Sequence, residues 1–219
     1  EEAQEVFRTV GQLRRDVEQL STIASGQICQ PAHDRFTPVF RSRFDALTAV
    51  LNQSYCIPFL HAAACLEPRA YVSVCDLVER FSFRYGVVIR APIHALEPVF
   101  EAHIRTLRAN PRDFRISDLK RDLTTLISAY AGNDLFKERL LNLEYGRDTR
   151  KPLRYALVMI EHMSRWYGEN PQGTPTCRDV TRVIDFRSIT LEHIEASNSV
   201  NLDPQLTPYI NSLGNLTVM

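Results

Sequence analysis

Residues 189–197 read Ile-Thr-Leu-Glu-His-Ile-Glu-Ala-Ser, and residues 211–218 read Asn-Ser-Leu-Gly-Asn-Leu-Thr-Val. The first stretch sets an acid, Glu192, directly beside a histidine, His193. The second carries an amide, Asn215, within Leu-Gly-Asn-Leu about twenty residues further on. A carboxylate can hold a hard cation and an imidazole can take a proton from water. Hydrolysis of a phosphodiester needs both functions, together with support for the leaving oxygen. Taken alone, Glu-His also reads as an ordinary strand end with a solvent-exposed ion pair. Neighbours on a regular strand point to opposite faces, so both side chains reach one phosphate only if the strand ends irregularly there.

Other candidate groups fit chemistry less well. Glu161-His162 falls within a helical pattern, where neighbours diverge by about 100°, and reads as polar surface. His61 and Cys65 are four apart and would share a helix face as two zinc ligands could; among Ala62, Ala63 and Ala64 they read instead as packing residues. His94 and His103 match no metal spacing. No G-x-x-x-x-G-K-[ST] loop and no G-x-S-x-G elbow occurs in the chain. The basic groups Arg105, Arg108, Arg112, Arg115, Lys120, Arg121 and Arg147, Arg150, Lys151, Arg154 read first as solvated faces with helix ion pairs. Arg178, Arg182 and Arg187 lie beside the Glu-His pair and are the stronger candidates for phosphate contacts.

The elements that must position these residues are mostly helical. Val6, Val10, Leu13, Val17 and Leu20 recur at three and four, the spacing of one buried helix face. Phe40, Phe44, Leu47, Val50 and Leu51 form a second such stripe. Pro58 opens a short apolar helix that Pro68 closes, and Tyr71 to Val88 is helical with Gly86 weakening its end. Ala91 to Arg108 follows, with Pro92 in its first turn. Ser117 is the expected cap of a helix carrying Leu119, Leu123, Leu126 and Ile127, and Asp134 of one carrying Leu135, Phe136, Leu140 and Leu141. Lys151 to Trp166 reads as the last long helix, with Leu153, Leu157, Ile160 and Met163 inward. After Trp166, GENPQGTPTCRD reads as loop and VTRVIDFRSITLEHI, rich in β-branched residues, as strand. NSLGNLTVM sets a turn before a second strand.

The whole-chain properties set limits. Apolar residues make up 44% of the 219 and charged residues 24%, the usage of a globular chain. Twenty-six basic residues balance 26 acidic ones, so any contact with nucleic acid rests on a local patch. Five cysteines (Cys29, Cys56, Cys65, Cys75, Cys177) form no C-x-x-C pair, and the odd count suits a reducing cytoplasm. No apolar run reaches the roughly 18–20 residues of a membrane span, so no membrane partner is expected. The chain opens on EEAQEVFRTV, already in helical rhythm and without Met, and closes on LGNLTVM. Both ends read as cut, and a piece of a longer protein is expected.

Glu192-His193-Ile194 at a strand end, followed by Leu-Gly-Asn-Leu at 213–216, resembles the DUF1524 domain, the HNH-like nuclease of the DUF262/DUF1524 family. That family includes GmrSD-type modification-dependent restriction and phage-defence enzymes. The specific likeness covers about residues 182–219; a looser one covers the helices, where Phe-Ser-Phe-Arg-Tyr at 81–85 is similar to the family's aromatic-Arg helix. The resemblance implies a mainly α fold: a helical bundle over 1–165, then a small C-terminal ββα-metal (HNH-like) element over 166–219, truncated at its C-terminus. It implies a Mg²⁺-dependent DNA endonuclease, with His193 as general base, Glu192 as metal ligand and Asn215 as the brace of the loop that aims the histidine. The implied partners are DNA, possibly carrying modified bases, and the DUF262 NTPase portion of the same or a partner chain. The sequence departs from the pattern in having Glu195-Ala196 where the family often has Pro, and Glu where many HNH proteins have Asp. The helix that supplies the last metal ligand is expected beyond Met219. The competing expectation is a non-catalytic helical interaction module with a degenerate HNH-like element.

Overall fold

The structure, a computed structural model, describes residues 2–29, 36–169, 172–173, 186, 188–196 and 204–219. Within them the chain is mainly helical, with one small antiparallel sheet near its C-terminal end. The helices are α1 (Glu2–Ala24), α2 (Pro38–Asp45), α3 (Ile57–Ala63), α4 (Pro68–Ser82), α5 (Ile93–Ala109), α6 (Ile116–Tyr130), α7 (Asn133–Leu141) and α8 (Arg150–Gly168). The strands are β1 (Leu191–His193) and β2 (Leu216–Val218).

Local chemistry explains several boundaries. The Thr37 hydroxyl accepts from the Phe40 amide at 3.2 Å, and Pro38 follows in the first turn of α2. Pro68 starts α4 rather than merely closing the preceding helix, because its fixed φ and missing N–H suit a first turn. Ser117 is not a cap: α6 begins at Ile116, after Arg115 in extended geometry. Likewise Gly132, not Asp134, occupies the N-cap of α7, and Asp134 falls in its first turn. Two helices widen at their ends into π-helical turns, α2 into Ala46–Val50 and α4 into Phe83–Val88. Each is followed by a residue with positive φ, Asn52 at 52° and Arg90 at 57°.

The main core lies among α3, α4, α5 and α6. Phe59 stacks on Phe100 with ring centres 4.8 Å apart, and Phe81 stacks on Tyr85 at the same distance. The expected stripe of α2 is buried throughout, from Phe40 to Leu51. A second cluster joins Ala46, Val50 and Leu51 to Tyr155 and Val158 of α8 and to Phe186. A third sets Leu153 of α8 against Leu191 of β1 and Leu216 of β2. Helix α8 therefore has apolar contacts on two sides, the bundle on one and the sheet on the other.

Three inward faces expected from spacing differ in the structure. Val6, Val10, Leu13 and Val17 of α1 are exposed, at 57–63%; only Ile23, near the end of the helix, is fully buried, with Leu20 partly so. On α8, Ile160 is exposed while His162, expected at the surface, is buried. The sheet and the bundle between them claim a wider arc of α8 than a single stripe. Helix α7 buries none of its side chains; it is held by Arg84, which donates to the Ala131 carbonyl at 2.7 Å and Asn133 Oδ1 at 2.9 Å and lies over the Phe136 ring.

One buried polar network ties α2, α4 and α8 together. Arg43 of α2 pairs with Glu79 of α4 through both carboxylate oxygens and donates to Asp76 Oδ1 at 2.7 Å. The Tyr155 hydroxyl of α8 donates to Glu79 Oε1 at 2.6 Å. Burial pushes the Glu79 carboxyl above its ordinary range against the pull of Arg43 and Tyr155. Desolvation works against the Arg43 charge, but Glu79 and Asp76 outweigh it and hold the guanidinium protonated. Removing one partner of a buried ion pair strands the other charge, at a loss of about 3–5 kcal/mol. Glu79→Ala is accordingly expected to lose about that much stability in urea denaturation, and Tyr155→Phe about 1.5–3 kcal/mol, the loss of one hydrogen bond to a charged group. Equal losses for the two variants would show that the ion pair is not the centre of the network.

Candidate functional site

The strand expected over 180–194 is shorter in the structure: β1 covers only Leu191–His193, none of them β-branched, Phe186 and Ser188 lie in turns, and residues 180–185 and 187 lie outside the described set. Leu191 pairs with Val218, Glu192 with Thr217 and His193 with Leu216. Backbone bonds continue on both sides of this ladder: Thr190 and Met219 exchange two, and the Ile194 amide donates to the Asn215 carbonyl at 2.8 Å. The register is thus regular through Ile194. Leu191 and His193 share the face turned toward α8, while Glu192 is exposed on the opposite face. The irregular strand end that would bring Glu192 and His193 together is not present.

Asn215 occupies the position expected of a brace, between the loop after β1 and the turn before β2. Its Oδ1 accepts from the Glu195 amide at 2.9 Å. Its Nδ2 donates to the Glu195 carbonyl at 3.0 Å and to the Ile210 carbonyl at 2.8 Å. One side chain therefore fixes the backbone two residues beyond His193. The imidazole is held from the other side. His193 Nε2 lies 3.2 Å from Asn211 Oδ1, and the ring meets Tyr145 edge-on at 5.0 Å. An amide oxygen only accepts, so Nε2 is the donor in this contact, and in the neutral ring Nδ1 would be the acceptor.

Tyr145 comes from the connection between α7 and α8, which is stitched to the turn before β2. The Tyr145 amide donates to the Asn211 carbonyl at 2.7 Å, and Glu144 bridges to Ser212. Arg150 lies over the Tyr145 ring at 5.2 Å and donates to its hydroxyl, so a fixed positive charge stands behind the ring that meets His193. Tyr145, Asn211 and Arg150 were not singled out as site residues from sequence, apart from Arg150 as a member of a basic group. Their link to His193 is made by chain crossing and leaves no local spacing to find.

The remaining candidates separate into structural roles and residues outside the described set. His61 Nε2 lies 2.7 Å from Gln19 Oε1, and the Cys65 thiol donates to the Ala62 carbonyl. His103 sits 3.0 Å from Asp122 Oδ2 and edge-on to Phe114. Arg105 pairs with Glu101, Arg121 with Asp118 and Asp122, and Arg154 donates to the Phe186 carbonyl. Arg178, Arg182 and Arg187, with Cys177, lie outside the described residues. Among the described residues no three His, Cys, Asp or Glu side chains are grouped to hold a metal ion, and no helix is long and apolar enough to cross a membrane. Compared with known proteins, the chain matches no family model and no curated sequence.

Asn215→Ala removes three hydrogen bonds and leaves backbone groups of Glu195 and Ile210 without them. Such a loss is worth about 1–3 kcal/mol where the groups stay out of water. Amide exchange at Ile194 and Glu195 is expected to accelerate by at least about tenfold, equivalent to 1.4 kcal/mol, while His193→Ala leaves it nearly unchanged. Similar acceleration in both variants would mean that the imidazole, not the amide, holds the loop.

Proposed function

We propose that the chain is the catalytic portion of a Mg²⁺-dependent DNA endonuclease of the HNH type, from a modification-dependent restriction or anti-phage system with a DUF262-like NTPase portion. The observation that carries the proposal is the Asn215 side chain, which fixes the loop after His193 through three hydrogen bonds. An ordinary strand end has no need of such a clamp; a histidine that must meet a water and a phosphate in one geometry does. In this reading His193 Nδ1 takes the proton of the attacking water, the Asn211 carbonyl-type oxygen holds the tautomer, and Tyr145 limits rotation of the ring.

The divalent ion rests on the resemblance. Mg²⁺ prefers oxygen donors, retains several waters and often takes only one or two protein carboxylates. Glu192 is an exposed carboxylate of that chemistry, but it stands on the other face of β1 from His193. That donor does not make a site by itself, and a further ligand must come from elsewhere. Calorimetry with Mg²⁺ on residues 1–219 is therefore expected to give no micromolar binding. A micromolar constant would show that the ligands are misassigned.

The separate faces of Glu192 and His193 also favour the second reading, a helical interaction module whose HNH-like element is degenerate. Plasmid cleavage by the full-length protein, with and without Mg²⁺, discriminates the two. For an active enzyme, His193→Ala is expected to slow cleavage by about 10²–10⁴, the usual worth of a positioned general base, with the thermal midpoint and DNA binding nearly unchanged. Wild-type nicking by His193→Ala would overturn the catalytic assignment.

A further inference from the structure

Helices α2 and α4 border a cleft of about 390 Å³, a volume within the range of small-molecule sites. Phe40, Arg43, Phe44 and Leu47 follow the spacing of one helix face along α2 and its π-helical turn, and Val72, Asp76, Glu79 and Arg80 do so along α4. The charged residues of the lining are two arginines and two carboxylates, so the cleft carries no net charge. Its hydrogen-bonding capacity is not fully used. A guanidinium has five N–H donors. Arg43 directs Nε to Glu79 Oε1 at 3.1 Å and Nη2 to both Asp76 Oδ1 and Glu79 Oε2. Its Nη1 makes no hydrogen bond among the described residues, although the side chain is only 15% exposed, and it is not sealed from water. Asp76 Oδ1 takes both arginines and Oδ2 takes Arg80 Nε at 3.1 Å. A carboxylate has about four acceptor sites, which leaves one on Oδ2, and Asp76 is 32% exposed.

We propose that this cleft binds a free apolar α-amino acid, with its carboxylate on Arg43 Nη1, its ammonium on Asp76 Oδ2 and its side chain against Phe40, Phe44, Leu47 and Val72. The two open donors on one nitrogen suit a carboxylate, and the open lone pair suits an ammonium. The balance of charge selects the zwitterion. A simple acid would bring a third negative group beside Asp76 and Glu79, and a simple amine a third positive group beside Arg43 and Arg80. Like charges a few ångströms apart repel strongly where water is scarce. A zwitterion adds no net charge and aligns its dipole with the open donors and the open acceptor. The ligand would bridge α2 and α4 at the arginine that holds Glu79. The proposal is independent of the nuclease reading and would hold whether or not His193 is catalytic.

Calorimetry and thermal unfolding of the chain with L-leucine and L-phenylalanine test the proposal. At least one of them is expected to bind with a dissociation constant below about 1 mM and to raise the thermal midpoint. Isocaproate, which is leucine without the ammonium, and isoamylamine, which is leucine without the carboxylate, are expected to bind at least about tenfold more weakly. Asp76→Asn keeps the Arg43–Glu79 pair and is expected to lose at least about tenfold in amino-acid affinity. Val72→Trp fills the cleft without touching the ion pairs, and is expected to abolish binding while the thermal midpoint of the free protein changes little. No binding of either amino acid overturns the proposal. Isocaproate binding as tightly as leucine overturns the zwitterion. Leucine binding that survives both Asp76→Asn and Val72→Trp overturns the cleft as its place.

Discussion

Glu79 is a carboxylate with almost no access to water, and three helices meet on it. Arg43 reaches it from α2 and Tyr155 from α8, while α4 carries it. A buried ion pair is a poor source of net stability, since desolvation offsets much of the attraction. Its effect is directional. Apolar side chains would let α8 slide or rotate against the bundle at modest penalty, whereas a displaced α8 would take the Tyr155 hydroxyl away from the buried Glu79. The azimuth of α8 is thereby set, and α8 in turn sets the sheet.

That dependence runs along the side chains of α8 itself. With Tyr155 directed at Glu79, its ring stacks on Phe186 at 5.5 Å and lies against Phe83 at 4.7 Å. Leu153, two residues earlier, faces Leu191 and Leu216. Arg154 between them donates to the Phe186 carbonyl at 2.9 Å. Three consecutive residues thus meet the bundle, Phe186 and the two strands. The connection carrying Tyr145 leads into α8 at Arg150, which lies over the Tyr145 ring, and Tyr145 reaches the His193 ring.

Much of the fold was legible because burial and spacing agree. The α2 stripe from Phe40 to Leu51 and the Leu119, Leu123 and Leu126 stripe of α6 each face one core. A strand pair near the C-terminal end was legible, but the first strand is three residues long and holds no β-branched residue, where composition had suggested fifteen. Spacing fails where a helix has more than one neighbour or none. Helix α8 touches the bundle and the sheet at once, so Ile160 and His162 exchange the places a single stripe assigns them. Helix α1 shows the reverse: its periodicity states that a face is apolar, and cannot state whether the cover comes from the same chain. Tyr145 and Asn211 were invisible because their meeting with His193 depends on the crossing of the α7–α8 connection over the turn before β2.

The regular register of β1 makes two assignments separable that adjacency in sequence had joined. His193 acquires its orientation from partners on the inner face, Asn211 and Tyr145, and from the loop that Asn215 pins. None of these contacts involves Glu192. The amide oxygen at Nε2 favours the tautomer with Nδ1 as acceptor in the neutral ring, whatever Glu192 does. In the proposed reaction the base is therefore prepared by its own surroundings, and the carboxylate next to it contributes only if substrate or another segment wraps around the strand to the outer face. On an unbroken strand, adjacency divides an acid and a histidine between surfaces, and the side-chain contacts, not the spacing, decide which of them is ready to act.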